Sequence, residues 1–415
     1  MPRRVKFSAD LILVCNSLDA GGIERVVATL ANEWGRRGRK VCVVTLHDRH
    51  RFYALDPAVQ HVVLDEAGLI RFAELLKWLA ERVGPSRWPK GWPFKLISAP
   101  LNWFFSDRHV GLYFLLLLSY QAASLRRALR RVTSPVVVSL GTKVNILTVM
   151  ACGKLGRRVI ISERGDAERL AGLKGWNSLS RRFYGRADLV TANSRGALRG
   201  MSDFVEAGKL AFVPNPLVLP NGGDRVRGDG RETPPYVLVV GRLVWGKAHD
   251  VLLEAFARLG AEFEGWRLAV VGDGRLRGAL QAQAESLGIA GRVDWHGVVR
   301  DPYDFYRAAR IFVLPSRNEG MPNALLEAMS CGLPVVVSDG APGPLELVED
   351  GVTGLVVPVN NAEALASAIR RLAADGALRE RLGEAARERV AAYELPQSIA
   401  VWESVLGLDK VAGSQ

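Results

Sequence analysis

The sequence predicts an α/β protein in which two doubly wound, parallel-sheet domains face each other across a cleft, with a C-terminal helix crossing back to the first domain. Three observations carry this. The chain opens on a strand, a small-residue turn, a helix and a second strand. The same order begins again after Pro235. Between the two halves lies PNPLVLPNGGDRVRGDGRETPP, dense in Pro, Gly and charge and without a periodic apolar pattern, which reads as the linker. A length of 415 residues suits two domains.

In the first half, Leu11–Cys15 is a buried-strand run and residues 17–22 form a turn of small residues. Residues 23–37 then place Ile23, Val26, Val27, Leu30 and Trp34 on one helical face, and residues 41–46 return as a strand. That βαβ unit implies a parallel sheet, extended by strands expected at 62–64, 136–140, 158–162 and 189–192. In the second half, strands are expected at 236–240, 268–271, 293–296, 311–314 and 334–338, with a helix over 250–259. The resulting domains are residues 1–215 and 216–393, and residues 394–415 carry the helix, about 398–406, that returns to the first.

Composition narrows the class. With 48% hydrophobic and 24% charged residues, the chain is a folded one. The four cysteines, Cys15, Cys42, Cys152 and Cys331, form no C-x-x-C pair and read as reduced core residues of a cytoplasmic protein. The basic start is followed by too short an apolar run for a secretory signal, and residues 111–118, GLYFLLLL, fall short of a membrane-spanning helix.

Two stretches carry chemistry. In SRNEGMPNALLEAMSCGLPVVVSD, a loop places Glu319 and then Pro322 starts a helix whose first-turn N–H groups and dipole favour a phosphate. Glu319 can reach a sugar outside that helix, and Glu327 can accept two vicinal ribose hydroxyls; the alternative is two solvated surface carboxylates. In VGRLVWGKAHDVLLEAF, Arg242 and Lys247 follow a strand, where a planar fork and a point charge can neutralise a diphosphate, or form a basic surface loop.

With GGIERVVATLANEW, ISERGD, ADLVTANS and VPNPL, these stretches make the chain resemble the family 4 retaining glycosyltransferases of the GT-B fold, two Rossmann-like domains about a cleft. It looks closest to bacterial enzymes that build surface or lipid-linked oligosaccharides. The resemblance implies that Arg242 and Lys247 hold the donor diphosphate, that Glu319 contacts the donor sugar and Glu327 the ribose, and that backbone at Gly320, Met321, Pro322, Asn323, Ala324 and Leu325 lines sugar and phosphates. Gly21 and Gly22 would approach the diphosphate from the opposite lobe. Glu163 and Arg164 are candidates for acceptor or donor-sugar contact, or a structural ion pair. Many members carry Gly where Ala248 follows Lys247.

The implied reaction moves a sugar, most simply from a UDP-sugar, to a hydroxyl of a glycan or polyprenyl-linked acceptor. No D-x-D triplet or His cluster of metal-ligand spacing occurs, so no metal or other cofactor is expected. VVGDGRLRGAL mimics a dinucleotide fingerprint with the wrong final spacing, and His296 is a candidate for the base pocket or the core. A glycosidase would need no diphosphate clamp, and an epimerase of the same fold would need no acceptor. The formal charge of +12 admits nucleic acid, although no nucleic-acid-binding motif is visible. Residues 71–131 hold 11 Lys+Arg against 3 Asp+Glu, which localises the excess. There Trp88, Lys90, Trp92, Lys95 and Trp103 precede the apolar run, and Arg126, Arg127, Arg130 and Arg131 follow it. This pattern suits an anionic membrane surface near the acceptor side of the cleft, placing the protein peripherally on the inner face of the cell membrane; the alternative is a long helical insertion that packs its Trp and Leu into the first lobe with a solvated basic face.

Overall fold

The computed structural model describes residues 7–48, 51–64, 112–153, 155–165, 174–219, 235–260 and 263–408, with isolated helical positions at 68, 71 and 74. The first lobe contains β1 (Phe7–Ser8), β2 (Leu11–Cys15), α1 (Gly22–Arg36), β3 (Val41–Thr45), β4 (Gln60–Val63), α2 (Leu112–Leu129), β5 (Val132–Thr133), β6 (Val136–Leu140), α3 (Thr142–Cys152), β7 (Arg158–Glu163), α4 (Lys174–Phe183), β8 (Leu189–Ala192), α5 (Arg195–Met201) and β9 (Leu210–Phe212). Its main sheet is parallel throughout, in the order β4-β3-β2-β6-β7-β8-β9. Helices cover both faces, so β2, β3 and β6 are buried along their whole length, which is why they read as unbroken apolar runs.

The second lobe repeats the plan with β10 (Tyr236–Val240), α6 (His249–Ala257), β11 (Arg267–Val271), α7 (Arg277–Ser286), β12 (Val293–Gly297), α8 (Tyr303–Ala308), β13 (Ile311–Leu314), α9 (Asn323–Ser330), β14 (Val335–Ser338), α10 (Pro342–Leu345), β15 (Leu355–Val357), α11 (Ala362–Ala374) and α12 (Gly376–Val390). Its sheet, also parallel, runs β12-β11-β10-β13-β14-β15. Helix α13 (Leu395–Leu406) crosses back and buries Ile399, Trp402 and Leu406 in the core built on β2, β3 and α1.

Strand order reverses between β2 and β6 in one lobe and between β10 and β13 in the other. At such switch points the connections leave the strand ends in opposite directions and open a crevice. The two crevices face each other, so the loops that follow these four strands lie at the centre of the site.

Of the basic stretch 71–131, the described part is mainly residues 112–131. Residues 112–118 begin α2, whose Leu118, Ala122, Leu125 and Leu129 are buried in the first-lobe core. Among the described residues no helix is long and apolar enough to cross a membrane. Arg126 is not offered to lipid: Nε and a terminal guanidinium nitrogen donate to the carbonyls of Ala151 and Met150 at 2.8 and 2.9 Å, where α3 leaves its last acceptors unpaired. Arg127, Arg130 and Arg131 are exposed. They precede the N-terminal end of β6, whereas its C-terminal end feeds Gly141 and Thr142 into the cleft, so they lie toward the opposite ends of the strands. Trp88, Lys90, Trp92, Lys95 and Trp103 lie outside the described residues, as do linker residues 220–234.

Candidate active site

A cavity of about 650 Å³ lies between the lobes. That is room for a nucleotide sugar. Of the residues singled out from sequence, Gly21, Gly22, Glu163, Arg164, Arg242, Lys247, Glu319, Gly320, Met321, Pro322, Asn323, Ala324 and Glu327 line it. Leu325 does not: its side chain is buried in the core and its N–H donates to the carbonyl of Pro322 at 3.1 Å. The first-turn amides of Asn323 and Ala324 have no acceptor within the helix. His296 is exposed, edge-on to Phe305, and absent from the lining.

Arg242 and Lys247 sit on the loop after β10, and that loop is braced from behind. Leu243 donates its N–H to the carbonyl of Asp273, and a Cβ on Gly272 would fall 2.0 Å from the carbonyl oxygen of Gly241. At φ 134° this position also excludes ordinary side chains. Gly272 and Gly274 of the fingerprint-like stretch thus serve the close approach of two backbones, whereas a Cβ on Gly278 would meet open space. On the other side, Arg317 holds Asp250 through both guanidinium termini at 3.0 and 2.6 Å and donates its own N–H to the carbonyl of Gly246. Ala248 adopts φ 52° and ψ 38°, the left-handed conformation that favours Gly.

The charged groups neutralise one another across the cavity. Lys247 pairs with Glu319, whose carboxylate also accepts from Ser316 Oγ at 2.9 Å. Glu327, 4% exposed, pairs with Arg25 of the first lobe at 2.5 Å and accepts from the hydroxyl of Tyr306 at 2.9 Å. Burial raises its carboxyl pKa, and Arg25 and Tyr306 offset only part of that rise. Glu24 folds its carboxylate over Gly21 at the start of α1, where burial raises its pKa against the lowering charge of Arg242.

Glu163 and Arg164 do not form an ion pair between their side chains. The Glu163 carboxylate accepts from Thr142, Tyr184 and the N–H groups of Arg164 and Gly165 at 2.6–3.1 Å. The Arg164 guanidinium turns away to Val213 and Asn215 and lies 4.9 Å over the ring of Trp402; its burial lowers its pKa to about 9. At Gly320 a Cβ would fall 2.7 Å from the Arg164 carbonyl oxygen, so a glycine is what lets the two lobes meet here.

Sequence reasoning passed over Arg25, Glu24, Tyr306 and Asn215. Asn215, inside the quoted VPNPL, donates to Met321 and Asn323 at 2.8 and 2.7 Å while accepting from Arg164, tying both lobes to the start of α9. Its signal was an Asn fixed between prolines at the end of the first lobe. Arg25 carried none, because helix periodicity does not reveal a partner on the other domain.

Residues 20–219 match the family model "Glycosyltransferase Family 4", and residues 224–389 match "Glycosyl transferases group 1". The chain is thus built of a glycosyltransferase family 4 domain followed by a group 1 glycosyltransferase domain. A Campylobacter jejuni relative of this glycosyltransferase, N-acetylgalactosamine-N,N'-diacetylbacillosaminyl-diphospho-undecaprenol 4-alpha-N-acetylgalactosaminyltransferase, is 30% identical over 57% of the chain. The chain spans 66% of that relative's length. A second C. jejuni relative, GalNAc-alpha-(1->4)-GalNAc-alpha-(1->3)-diNAcBac-PP-undecaprenol alpha-1,4-N-acetyl-D-galactosaminyltransferase, is 27% identical, with 93% of this chain and 95% of the relative aligned. Among solved structures, Anabaena Alr3699/HepE in complex with UDP and glucose superposes with a TM-score of 0.72 at 17% identity, covering 97% of this chain and all of that one. That likeness establishes the GT-B fold.

Proposed function

We propose that the protein transfers a sugar from a nucleoside-diphosphate donor, in the simplest case a UDP-sugar, to a hydroxyl of a polyprenyl-linked or other glycan acceptor. The observation that carries this reading is the convergence of Arg242, Lys247, Glu319, Glu327 and the open first turn of α9 at the second-lobe switch point, facing the first lobe across the cavity. Undecaprenol-linked acceptors in the names of two relatives, and UDP bound to a structural neighbour, support the substrate classes.

As the glycosidic bond breaks, negative charge grows on the departing diphosphate. Arg242, Lys247 and the α9 amides stabilise it, because fixed cations and dipoles need no reorganisation during the reaction. Lys247 exchanges Glu319 for phosphate, and the freed carboxylate orients the donor sugar. Attack on the same face, with the leaving phosphate taking the acceptor proton, retains the anomeric configuration. The two cations stand where other transferases use a metal, so a chelator should leave turnover unchanged. Peripheral attachment to the inner membrane face would present the lipid-linked acceptor.

A panel of nucleotide sugars, assayed for transfer, hydrolysis and protection against thermal unfolding, identifies the donor. Arg242→Ala and Glu319→Ala are each expected to lower turnover by roughly a hundred-fold or more with melting temperature preserved. Near-normal turnover in either purified variant would sink the assignment.

A further inference from the structure

We infer that Arg25 is a positioning residue for donor recognition: it reaches from the first lobe to hold the Glu327 carboxylate for two ribose hydroxyls, so that the ribose site is complete only when the lobes are together. This rests on the donor reading above and adds the first-lobe half of the ribose site.

Glu327 is on α9 and Arg25 on α1, and their contact at 2.5 Å crosses the cleft. The same two helices meet once more, where the Asn323 side-chain amide donates to the carbonyl of Gly22 at 3.2 Å. One Glu327 oxygen accepts from Arg25 and the other from Tyr306. An ionised carboxylate has about four lone-pair positions, so each oxygen keeps one free for a hydroxyl. A protonated carboxyl would surrender one acceptor and turn one oxygen into a donor.

Among the described residues, Arg25, Tyr53, Asp301, Tyr303 and Tyr306 are the titratable groups facing Glu327. Tyrosines are neutral at ordinary pH, and Asp301 opposes ionisation. Arg25 supplies the positive charge that offsets the burial of Glu327. A buried pair contributes little net stability, yet removing one partner leaves an uncompensated charge. Here that charge sits where the ribose is read.

The test titrates UDP and 2′,3′-dideoxy-UDP calorimetrically into the full chain, as wild type, Arg25→Met and Arg25→Lys. Wild type should prefer UDP. Arg25→Met should lose about ten-fold in UDP affinity, lose little toward the dideoxy probe, and weaken further as pH falls because Glu327 then protonates more readily. Arg25→Lys, which keeps the charge, should recover most of the preference. A purely structural role for Arg25 would lower both affinities equally, and that outcome overturns the inference, as would an unchanged UDP preference in Arg25→Met. A wild type that does not distinguish the two probes overturns instead the ribose role of Glu327, and the inference with it.

Discussion

His249, the first residue of α6, is 3% exposed, and neither ring nitrogen finds a hydrogen-bond partner among the described residues. Burial, with the adjacent Lys247 charge, lowers its pKa from 6.5 to about 4. As pH falls below 6.5 the unfolded chain binds a proton at this ring before the folded chain does, so stability is full above 6.5 and declines toward 4. The difference approaches about 3 kcal/mol at the acid end. His249→Leu keeps the bulk without the nitrogens and should flatten the fall of melting temperature across that window; an unchanged slope would count against burial as the cause. At this scale the site was legible where the side chains act from one lobe, as with Arg242, Lys247 and Glu319. It was not legible where the partner lies on the other lobe. Arg25 looks like any helix-surface cation until α1 and α9 are brought together, and the Glu163–Arg164 sequence gave no hint that the two side chains point apart.

The elements divide by how far burial imprints itself on the chain. Strands enclosed on both faces, such as β2 and β13, are unbroken apolar runs and were found within a residue or so. The two- and three-residue strands β1, β5, β9 and β15 carry too few positions to form a pattern. Helix α2 was left open for the opposite reason, since an apolar run reads alike whether a core or a lipid surface receives it, and Leu118, Leu125 and Leu129 go to the core. Helix α13 was visible as a helix and its return was expected, but the energetic weight of Trp402 was not. That side chain is fully buried, edge-on to Trp34 with centroids 6.4 Å apart, and its ring faces the Arg164 guanidinium. Trp402→Ala should therefore lower the unfolding free energy in urea by about 3–5 kcal/mol through the cavity it leaves. A loss below about 1 kcal/mol would mean that α13 merely rests on the first lobe.

On the scale of the whole molecule, the question is which face a membrane can touch. All strands of both main sheets are parallel within their sheets, and the site is built at their C-terminal ends. A lipid-linked acceptor has to enter at those ends. Arg127, Arg130 and Arg131 lie toward the opposite ends of the first-lobe strands, and Arg126 is committed to α3. The basic excess of residues 71–131 therefore divides into two parts with different expected behaviour. If the membrane faces the cleft, neutralising Arg127, Arg130 and Arg131 together should leave binding to phosphatidylglycerol-containing vesicles within about two-fold. Replacing Lys90 and Lys95 with Gln should weaken it by roughly ten-fold, and moderate salt should weaken wild type similarly, because each cation near an anionic surface contributes on the order of 1 kcal/mol and is screened beyond a Debye length. Arg126→Gln should instead lower the melting temperature, through the carbonyls it leaves unpaired. Vesicle co-sedimentation of the three variants decides the matter: loss of binding in the Arg127, Arg130 and Arg131 variant alone would turn the molecule over and place its membrane contact toward the strand ends away from the cleft.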